Sequence, residues 1–423
     1  MATVLNQIGN PTSSIAASTT NFYGIVANSR FSATTEANIT TIWRTGGTLS
    51  NLYINILTND RAASTFRTRK ATANANLVVS ITGSTTGKFE DTSNTDTVTA
   101  GDDWHVSLAT GAGGTVFTVK IISVLFSATT NTVSMIGGAA STSVATASAT
   151  NPGPLYAGGA YTAGATDANV GITLRTAGTG KNLFVYVGSN ARTTTSTFRS
   201  RVNSGFGNLT LDVAGGTTGS FQDIANSDVL ASGNLINYSL TTGTGTESIS
   251  YRTVAIDFET TNGNSQFVVG ANSGLSQSAG VTTYYAIAGA LVADTTEANQ
   301  VAETNLAFTA SLLQCNISAN TIVLDSTLTL RKNSGAANQT VTITALTTGI
   351  FQDTTNTDSI LASDTLDYEI VTPSTLTAIT IRSISLLGDS TVASASVPIS
   401  SSVFRRTFSG IGTGIGKRQV HGW

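Results

Sequence analysis

Cysteine, histidine and charge are all scarce in this sequence, and each scarcity removes a class of chemistry. Cys315 is the only cysteine in 423 residues, so no intrachain disulfide and no cysteine-rich zinc site can form. There are two histidines, His105 and His421, which leaves a Ser-His-Asp triad with almost nothing to draw on. Charged residues make up 11% of the chain, less than half the usual share of about 25%. The net charge of −3 gives no global pull on nucleic acid or anionic membrane. No apolar run approaches the ~18 residues of a membrane-spanning helix. The opening MATVLNQIGNPTSS has no basic segment followed by an apolar one, so no secretory signal is expected. No G-x-x-x-x-G-K-[ST] and no strand-bound G-x-G-x-x-G occurs.

Thr, Ser, Asn and Gly take the place of the missing charge. Thr is β-branched and favours strands, while Gly and Asn favour turns. With 40% hydrophobic residues the chain can pack a core, and the composition is that of an all-β protein.

One stretch is spelled three times. TTGKFEDTSNTD (85–96) returns as TTGSFQDIANSD (217–228) and TTGIFQDTTNTD (347–358). Its aromatics Phe89, Phe221 and Phe351 stand 132 and 130 residues apart. A second motif keeps step: Thr35-Glu36-Ala37-Asn38, Thr166-Asp167-Ala168-Asn169 and Thr296-Glu297-Ala298-Asn299. Two unrelated motifs at a constant separation mark three homologous units. Phe66-Arg67-Thr68-Arg69 also matches Phe198-Arg199-Ser200-Arg201, and more loosely Leu328 to Arg331. Copies one and two are the closer pair. Phe126 matches Phe258 where the third copy has Gly388, and Asn59-Asp60-Arg61 returns as Asn190-Ala191-Arg192 with no counterpart read in the third.

A period of about 130 residues has the size of an independent domain, not of a solenoid repeat. Short strand-like runs such as FYGIVA, NLYINIL, TFRTRKA, LVVSITG and FTVKIISVLF, with Gly/Asn/Thr turns between them, predict about eight strands per copy. The expected fold is three tandem jelly-roll-like β-sandwich domains and a C-terminal extended arm. The expected divisions are 1–138, 155–261, 281–388 and 389–423. The Ser/Gly/Asn-rich segments Ala139 to Pro154 and Asn262 to Gly280 read as linkers.

The repeated motif reads as a structural corner after the strand Leu77 to Ile81. Gly87 would turn the chain and Phe89, Phe221 and Phe351 would plug the sandwich end. Asp91, Asn94 and Asp96, with Asp223, Asn226, Asp228, Asp353, Asn356 and Asp358, are side chains that bond their own backbone in Asx-turns. A calcium site is the sharper alternative, since these are hard oxygen ligands, but the spacing is not that of an EF-hand loop. No catalytic residue, metal or cofactor is assigned, and the chain reads as a non-enzyme. His105 is replaced by Asn237 and Asp367 in the sister copies, Cys315 has no partner, and the few acids lie mostly in the corners.

The tail FRRTFSGIGTGIGKRQVHGW (404–423) belongs to no repeat. It carries Arg405, Arg406, Lys417 and Arg418 and no acid. Gly410, Gly412, Gly414 and Gly416 alternate, Phe404 and Phe408 open it, and Trp423 ends it. A disordered tail is the plainer alternative, and a nucleic-acid tail is the weaker one, since four charges give modest phosphate affinity. The apolar residues favour an arm that docks on a neighbouring subunit or another protein.

The string from Thr327 to Thr372, TLTLRKNSGAANQTVTITALTTGIFQDTTNTDSILASDTLDYEIVT, resembles modules of structural proteins of tailed phages. There, an R-K-N-G strand leads to T-G-x-F-x-D-T-T and an A-G-D-x-x-x-Y strand. Leu330-Arg331-Lys332-Asn333 and Gly349 to Asp353 carry the likeness. Ser363-Asp364 departs from the Gly-Asp that copy one keeps as Ala100-Gly101-Asp102, and Val106 stands where the others have Tyr238 and Tyr368. The resemblance covers about half of each repeat. It implies a non-enzymatic virion protein of the capsid-decoration or tail-appendage type, and transfers no catalytic residue. The expected partners are copies of itself and other virion proteins, not nucleic acid or membrane. The alternative is a carbohydrate-binding adhesin, in which Tyr156, Tyr161, Tyr284 and Tyr285 would stack on a host glycan.

Overall fold

The structure, a computed structural model, describes residues 3–9, 14–24, 34–36, 42–43, 45–129, 134–138, 142–155, 166–261, 265–287, 289–291, 293–304, 307–373 and 378–389. The C-terminal arm, Phe404 to Trp423, lies outside them.

The first repeat has eight described strands: β1 (Thr3–Gly9), β2 (Thr20–Gly24), β3 (Gly47–Asn59), β4 (Ser64–Lys70), β5 (Ala73–Ile81), β6 (Gly87–Val98), β7 (Trp104–Ala109) and β8 (Phe117–Ala128). They form two antiparallel sheets, ordered β1-β8-β3-β6 and β2-β7-β4-β5. This is the jelly-roll order, in which the chain crosses between facing sheets at every step except the β4–β5 hairpin.

The second repeat repeats it with β9 (Ser134–Gly138), β10 (Thr142–Val144), β11 (Thr150–Gly153), the short helix α1 (Asp167–Val170), β12 (Ile172–Thr173), β13 (Gly178–Asn190), β14 (Ser196–Val202), β15 (Gly205–Val213), β16 (Gly219–Leu230), β17 (Leu235–Thr241) and β18 (Ile249–Thr260). The third has β19 (Ser265–Ser278), β20 (Thr282–Tyr285), β21 (Gly289–Ala290), β22 (Ala302–Glu303), β23 (Phe308–Asn320), β24 (Ser326–Lys332), β25 (Gly335–Ile343), β26 (Gly349–Gln352), β27 (Thr357–Ile360), β28 (Thr365–Val371) and β29 (Ala378–Asp389). Their central paths, β18-β13-β16 with β17-β14-β15 and β29-β23-β26 with β28-β24-β25, match the first repeat strand for strand.

The chain is therefore all-β sandwich, as the composition implies, but two expectations need correction. The segments read as linkers contain β10, β11 and β19, and β9, expected in the first division, lies against the second repeat. β9 and β10 pair with β18, β11 pairs with β17, and β19 pairs with β29. Strand pairing thus joins residues 134–153 to the second repeat and 265–278 to the third, ahead of the expected starts at 155 and 281. The repeated motif is not a loop between strands either: it is β6 and β16 themselves, and β26 with β27 in the third copy.

Three hydrophobic clusters fill the sandwiches. On β3, Ile54 and Ile56 point inward and are fully buried, as period-two patterning requires. Phe198 and Tyr238 do the same in the second repeat, and Leu328 and Tyr368 in the third.

Where the motif runs alongside β3, β13 and β23, the edge strand bulges and the register of the neighbouring strand breaks. The register jumps between Ser50 and Leu52, between Lys181 and Leu183, and between Ser311 and Gln314. The residue at the jump is left-handed in every copy: Asn51 (φ 48), Asn182 (φ 53) and Leu312 (φ 55). Asn tolerates that conformation, whereas for Leu it costs about 1 kcal/mol or more. Replacing Leu312 by Asn should raise the stability of the chain by about 1 kcal/mol, read as a higher urea midpoint. A lower midpoint would mean that Leu312 packing outweighs its backbone strain.

Candidate functional site: the repeated acidic corner and the inter-repeat contact faces

The repeated acids sit where the two sheets of each sandwich meet. β5 is the edge of one sheet and β6 the edge of the other. Asp91 Oδ1 accepts the N–H groups of Ser93 and Asn94, and its Oδ2 accepts Val78 N–H and the Asn94 amide. Asp96 accepts Asn76 N–H, Leu77 N–H and the Thr68 hydroxyl. Asp223 repeats the first set with Ala225, Asn226 and Thr210, and Asp353 with Thr355, Asn356 and Thr340. Asp228 takes Asn208 N–H and the Ser200 hydroxyl; Asp358 takes Asn338 and Gln339 N–H.

Only Asp91, Asp223 and Asp353 close Asx-turns; contrary to expectation, Asn94, Asn226 and Asn356 donate to those carboxylates, and Asp96, Asp228 and Asp358 bond the facing edge strand, which makes the corner a clamp between sheets. All six carboxylates are buried and surrounded by donors. Burial alone would raise the Asp353 carboxyl, but Asn356 and the backbone N–H groups outweigh it and hold it at about 2. Asp91 and Asp223 are lowered in the same way. Lone pairs committed to N–H donors are not offered to calcium, and among the described residues no group of His, Cys, Asp or Glu is arranged to hold a metal ion. Phe89 and Phe221 do not plug a sandwich end. They stand within the edge strands, opposite Ile54 and Val185, half-buried against the core, and Phe351 stands likewise opposite Cys315.

The second repeated motif pairs with the arginine of the third. Glu36 takes both Nε (2.6 Å) and Nη2 (2.9 Å) of Arg69. Asp167 takes Arg201 at 2.9 and 2.7 Å, and Glu297 takes Arg331 at 3.0 and 3.3 Å. This bidentate pair was not read from the sequence, although two motifs recurring in step were its signal.

A variable third residue completes each cluster. His105 Nε2 lies 2.7 Å from Glu36, and the Asn237 amide donates to Asp167 at 2.9 Å. Asp367, 1% exposed, has no hydrogen-bond partner on either oxygen. Burial, with Glu297 and Glu369 against Arg331, pushes its carboxyl up to about 7. His105 is thus an acceptor-or-donor partner inside a structural ion pair, on a position its sister copies fill with Asn and Asp.

The outer face of the β3 sheet supplies contacts between repeats. Register places Tyr53, Phe184 and Gln314 at one equivalent position, Glu90, Gln222 and Gln352 at the next strand, and Ser123, Ala255 and Ser385 on the other side. Tyr53 donates to Glu303 of the third repeat at 3.1 Å, Lys88 pairs with Glu303 at 2.7 Å, and Tyr53 and Ile121 pack in the third core. Gln352 of the third repeat accepts from Arg175 of the second at 3.2 Å. Ala255 of the second packs in the first core. The same face of each repeat therefore rests on another repeat, first on third, third on second, second on first, and the cycle closes. Burying Tyr53 and Ile121 contributes roughly 1.5–3 kcal/mol each, while the partly exposed Lys88–Glu303 pair contributes about 0–1.

Other sequence candidates fall outside any site. Cys315 is fully buried in the third core, and burial pushes its thiol up. Tyr285 is fully buried, so it cannot stack on a sugar; Tyr284 lies under the Arg331 guanidinium. Tyr156 and Tyr161 lie outside the described residues. The third copy does keep the Asn of the N-x-R triplet, contrary to expectation. Asn320 accepts Ile322 N–H as Asn59 and Asn190 accept those of Arg61 and Arg192; only the arginine is lost. No described helix is long and apolar enough to cross a membrane.

No protein-family model matches the chain, and no curated protein matches it. Among solved structures it is similar to an insecticidal delta-endotoxin from Bacillus thuringiensis at 9% identity and a TM-score of 0.17; the match covers 84% of this chain and 55% of that one. A likeness so faint carries no argument about fold or function.

Two outcomes test the acids. Asp353 ionises at about 2 in the fold against about 3.9 unfolded. Its contribution is present above pH ~4 and lost as pH falls through ~2. Asp353→Ala should cost about 2 kcal/mol at pH 7, and its melting curve should converge on wild type in acid. Asp367 has the opposite sign. Its folded value of about 7 lies above the unfolded one, so stability present below pH ~4 is lost as pH rises through ~7. Asp367→Asn, which can donate to Glu297 as Asn237 does to Asp167, should be more stable than wild type at pH 8 by about 1–3 kcal/mol. Equal melting temperatures at pH 8 would show that the buried carboxylate finds compensation elsewhere.

Proposed function

We propose that this chain is a non-enzymatic virion structural protein, of the capsid-decoration or tail-associated fibre or spike type, that assembles with copies of itself through its sandwich domains and C-terminal arm. The observation that carries the reading is the closed cycle of contacts among three jelly rolls. Surfaces that would serve three separate subunits are used within one chain, which gives a ready-made building block. The repeated polar side chains support it too: the corner carboxylates and the acid–arginine pairs bond to the fold itself, and each repeated cluster has a structural task. The resemblance to tailed-phage modules at Leu330 to Asn333 and Gly349 to Asp353 points the same way. Jelly rolls also serve in lectins, so the fold alone does not decide. The adhesin alternative loses Tyr285 as a sugar platform.

Light scattering and negative-stain microscopy on the full chain and on a chain ending at Ser402 test the proposal. The full chain should form a defined oligomer or filament, and the shortened one should stay near the monomer mass of 43.3 kDa less the arm. Monomers in both samples would sink self-assembly through the arm. Glycan-array binding by such a monomer would move the adhesin ahead.

A further inference from the structure

One end of the third sandwich departs from the corresponding ends of the other two. In the first repeat that end is laced by Arg61. Its guanidinium donates to the carbonyls of Ile15, Gly113 and Gly114, and its own carbonyl accepts Ser84 N–H. Arg192 does the same in the second, reaching the carbonyls of Val144, Thr146, Gly243 and Gly245. In the third repeat the position is Ile322, fully buried, and its carbonyl accepts Leu346 N–H. The residues after it change in concert. Ala62-Ala63 and Thr193-Thr194 become Val323-Leu324, and Ser84 and Gly216 become Leu346.

Val323, Leu324 and Leu346 are 59%, 57% and 62% exposed. Two loops bonded to each other thus present three large apolar side chains to water. Leu346 is also left-handed, φ 56, at a turn where Ser84 and Gly216 hold the same conformation. A bulky side chain here is strained and exposed at once, so it benefits neither the turn nor the core. The sister ends carry Ala62, Ala63 and Ser84 or Thr193, Thr194 and Gly216 at these places, so the exposed apolar trio suits a contact outside the ring.

The sequence beyond Asp389 offers the occupant. Residues 404–423 hold Phe404, Phe408, Ile411, Ile415 and Trp423 with four basic residues and no acid. Since the whole chain carries −3, the rest of it carries −7 (−3 less +4), and arm and body attract. Asp389 pairs with Thr309, at the opposite end of β23 from Asn320, which pairs with Ile379 beside the apolar end. β23 is thirteen residues long, so its two ends lie about 40 Å apart. From Asp389 to Phe404 the chain can span at most about 50 Å. To reach its own apolar end, the arm would run almost straight back along the whole sandwich. A copy stacked end to end brings the same patch close to the exit.

We propose that Val323, Leu324 and Leu346 form the dock for the C-terminal arm of a second copy of this chain, so that copies stack head to tail. This assignment rests on the arm-mediated assembly proposed above. The test grafts the sister residues onto the third repeat: Val323→Thr, Leu324→Thr and Leu346→Gly together. The variant should melt no lower than wild type, because the glycine relieves strain.

A labelled synthetic peptide of residues 403–423 is titrated into bodies ending at Ser402, followed by fluorescence anisotropy. Binding to the wild-type body should be at least about tenfold tighter than to the triple variant. The full-length triple variant should scatter as a monomer where wild type assembles. Equal peptide binding by both bodies, or assembly of the full-length variant like wild type, overturns the dock while leaving arm-mediated assembly standing. Assembly that survives truncation at Ser402 overturns the earlier proposal instead. A full-length monomer that refuses the peptide, beside a truncated body that takes it, shows the arm on its own body and overturns the second-copy assignment.

Discussion

A sheet edge leaves one row of backbone donors without a strand to receive them, and each sandwich here resolves that in the same way. The outward N–H groups of β5, β15 and β25 are taken by aspartates reaching over from the facing sheet: Asp91 and Asp96, Asp223 and Asp228, Asp353 and Asp358. Much else follows from this requirement. The motif must swing its acids inward, so the edge strand bulges. The third strand answers with a left-handed residue opposite the bulge. The hydroxyls of Thr68 and Ser200 are placed to meet the second aspartate. Where the third copy has Leu330 instead, Gln339 supplies the missing donor. The arrangement also protects the edge against pairing with another chain, which matters in a protein with few charges to keep molecules apart.

The cycle of contacts among repeats differs in kind at each seam. Tyr53, Phe184 and Gln314 occupy one geometric position, yet the first is an aromatic with a hydroxyl on Glu303 and the last a polar side chain bonded to Gln352 and Ser385. In a true trimer one residue must serve three identical interfaces. A single chain is free to tune each seam by itself, and to give one repeat an end unlike the others.

Much of this architecture was legible in the sequence. Three copies and an eight-stranded sandwich could be read because motif spacing and period-two runs survive without an alignment. The sequence of β6 reads as a corner because Gly, Asp, Asn and Thr carry turn propensity, and only the neighbouring strand Leu52 to Ile56 makes an edge strand of them. The segments holding β10, β11 and β19 looked like linkers for the same reason: small polar residues pair well once a strand such as β18 or β29 lies alongside. The acid–arginine clusters were visible as motifs but not as partners, since about thirty residues separate each pair in the chain. The contact faces were invisible because Tyr53 and Ile121 look like core residues until register shows them pointing outward.

In each repeat the first strand lies beside the last: Thr3 pairs with Ser127, Ser134 with Phe258, Ser265 with Gly388. That closes each sandwich with its own two ends, and it also sets a timetable. During synthesis β1 has no neighbour until β8 emerges, more than a hundred residues later, a delay of roughly 5–20 s at ordinary elongation rates. Each repeat can complete itself only when its final strand arrives, and the next then begins within a few residues. A ribosome thus releases finished sandwiches one at a time, and the ring closes last, when the third can meet both of its predecessors.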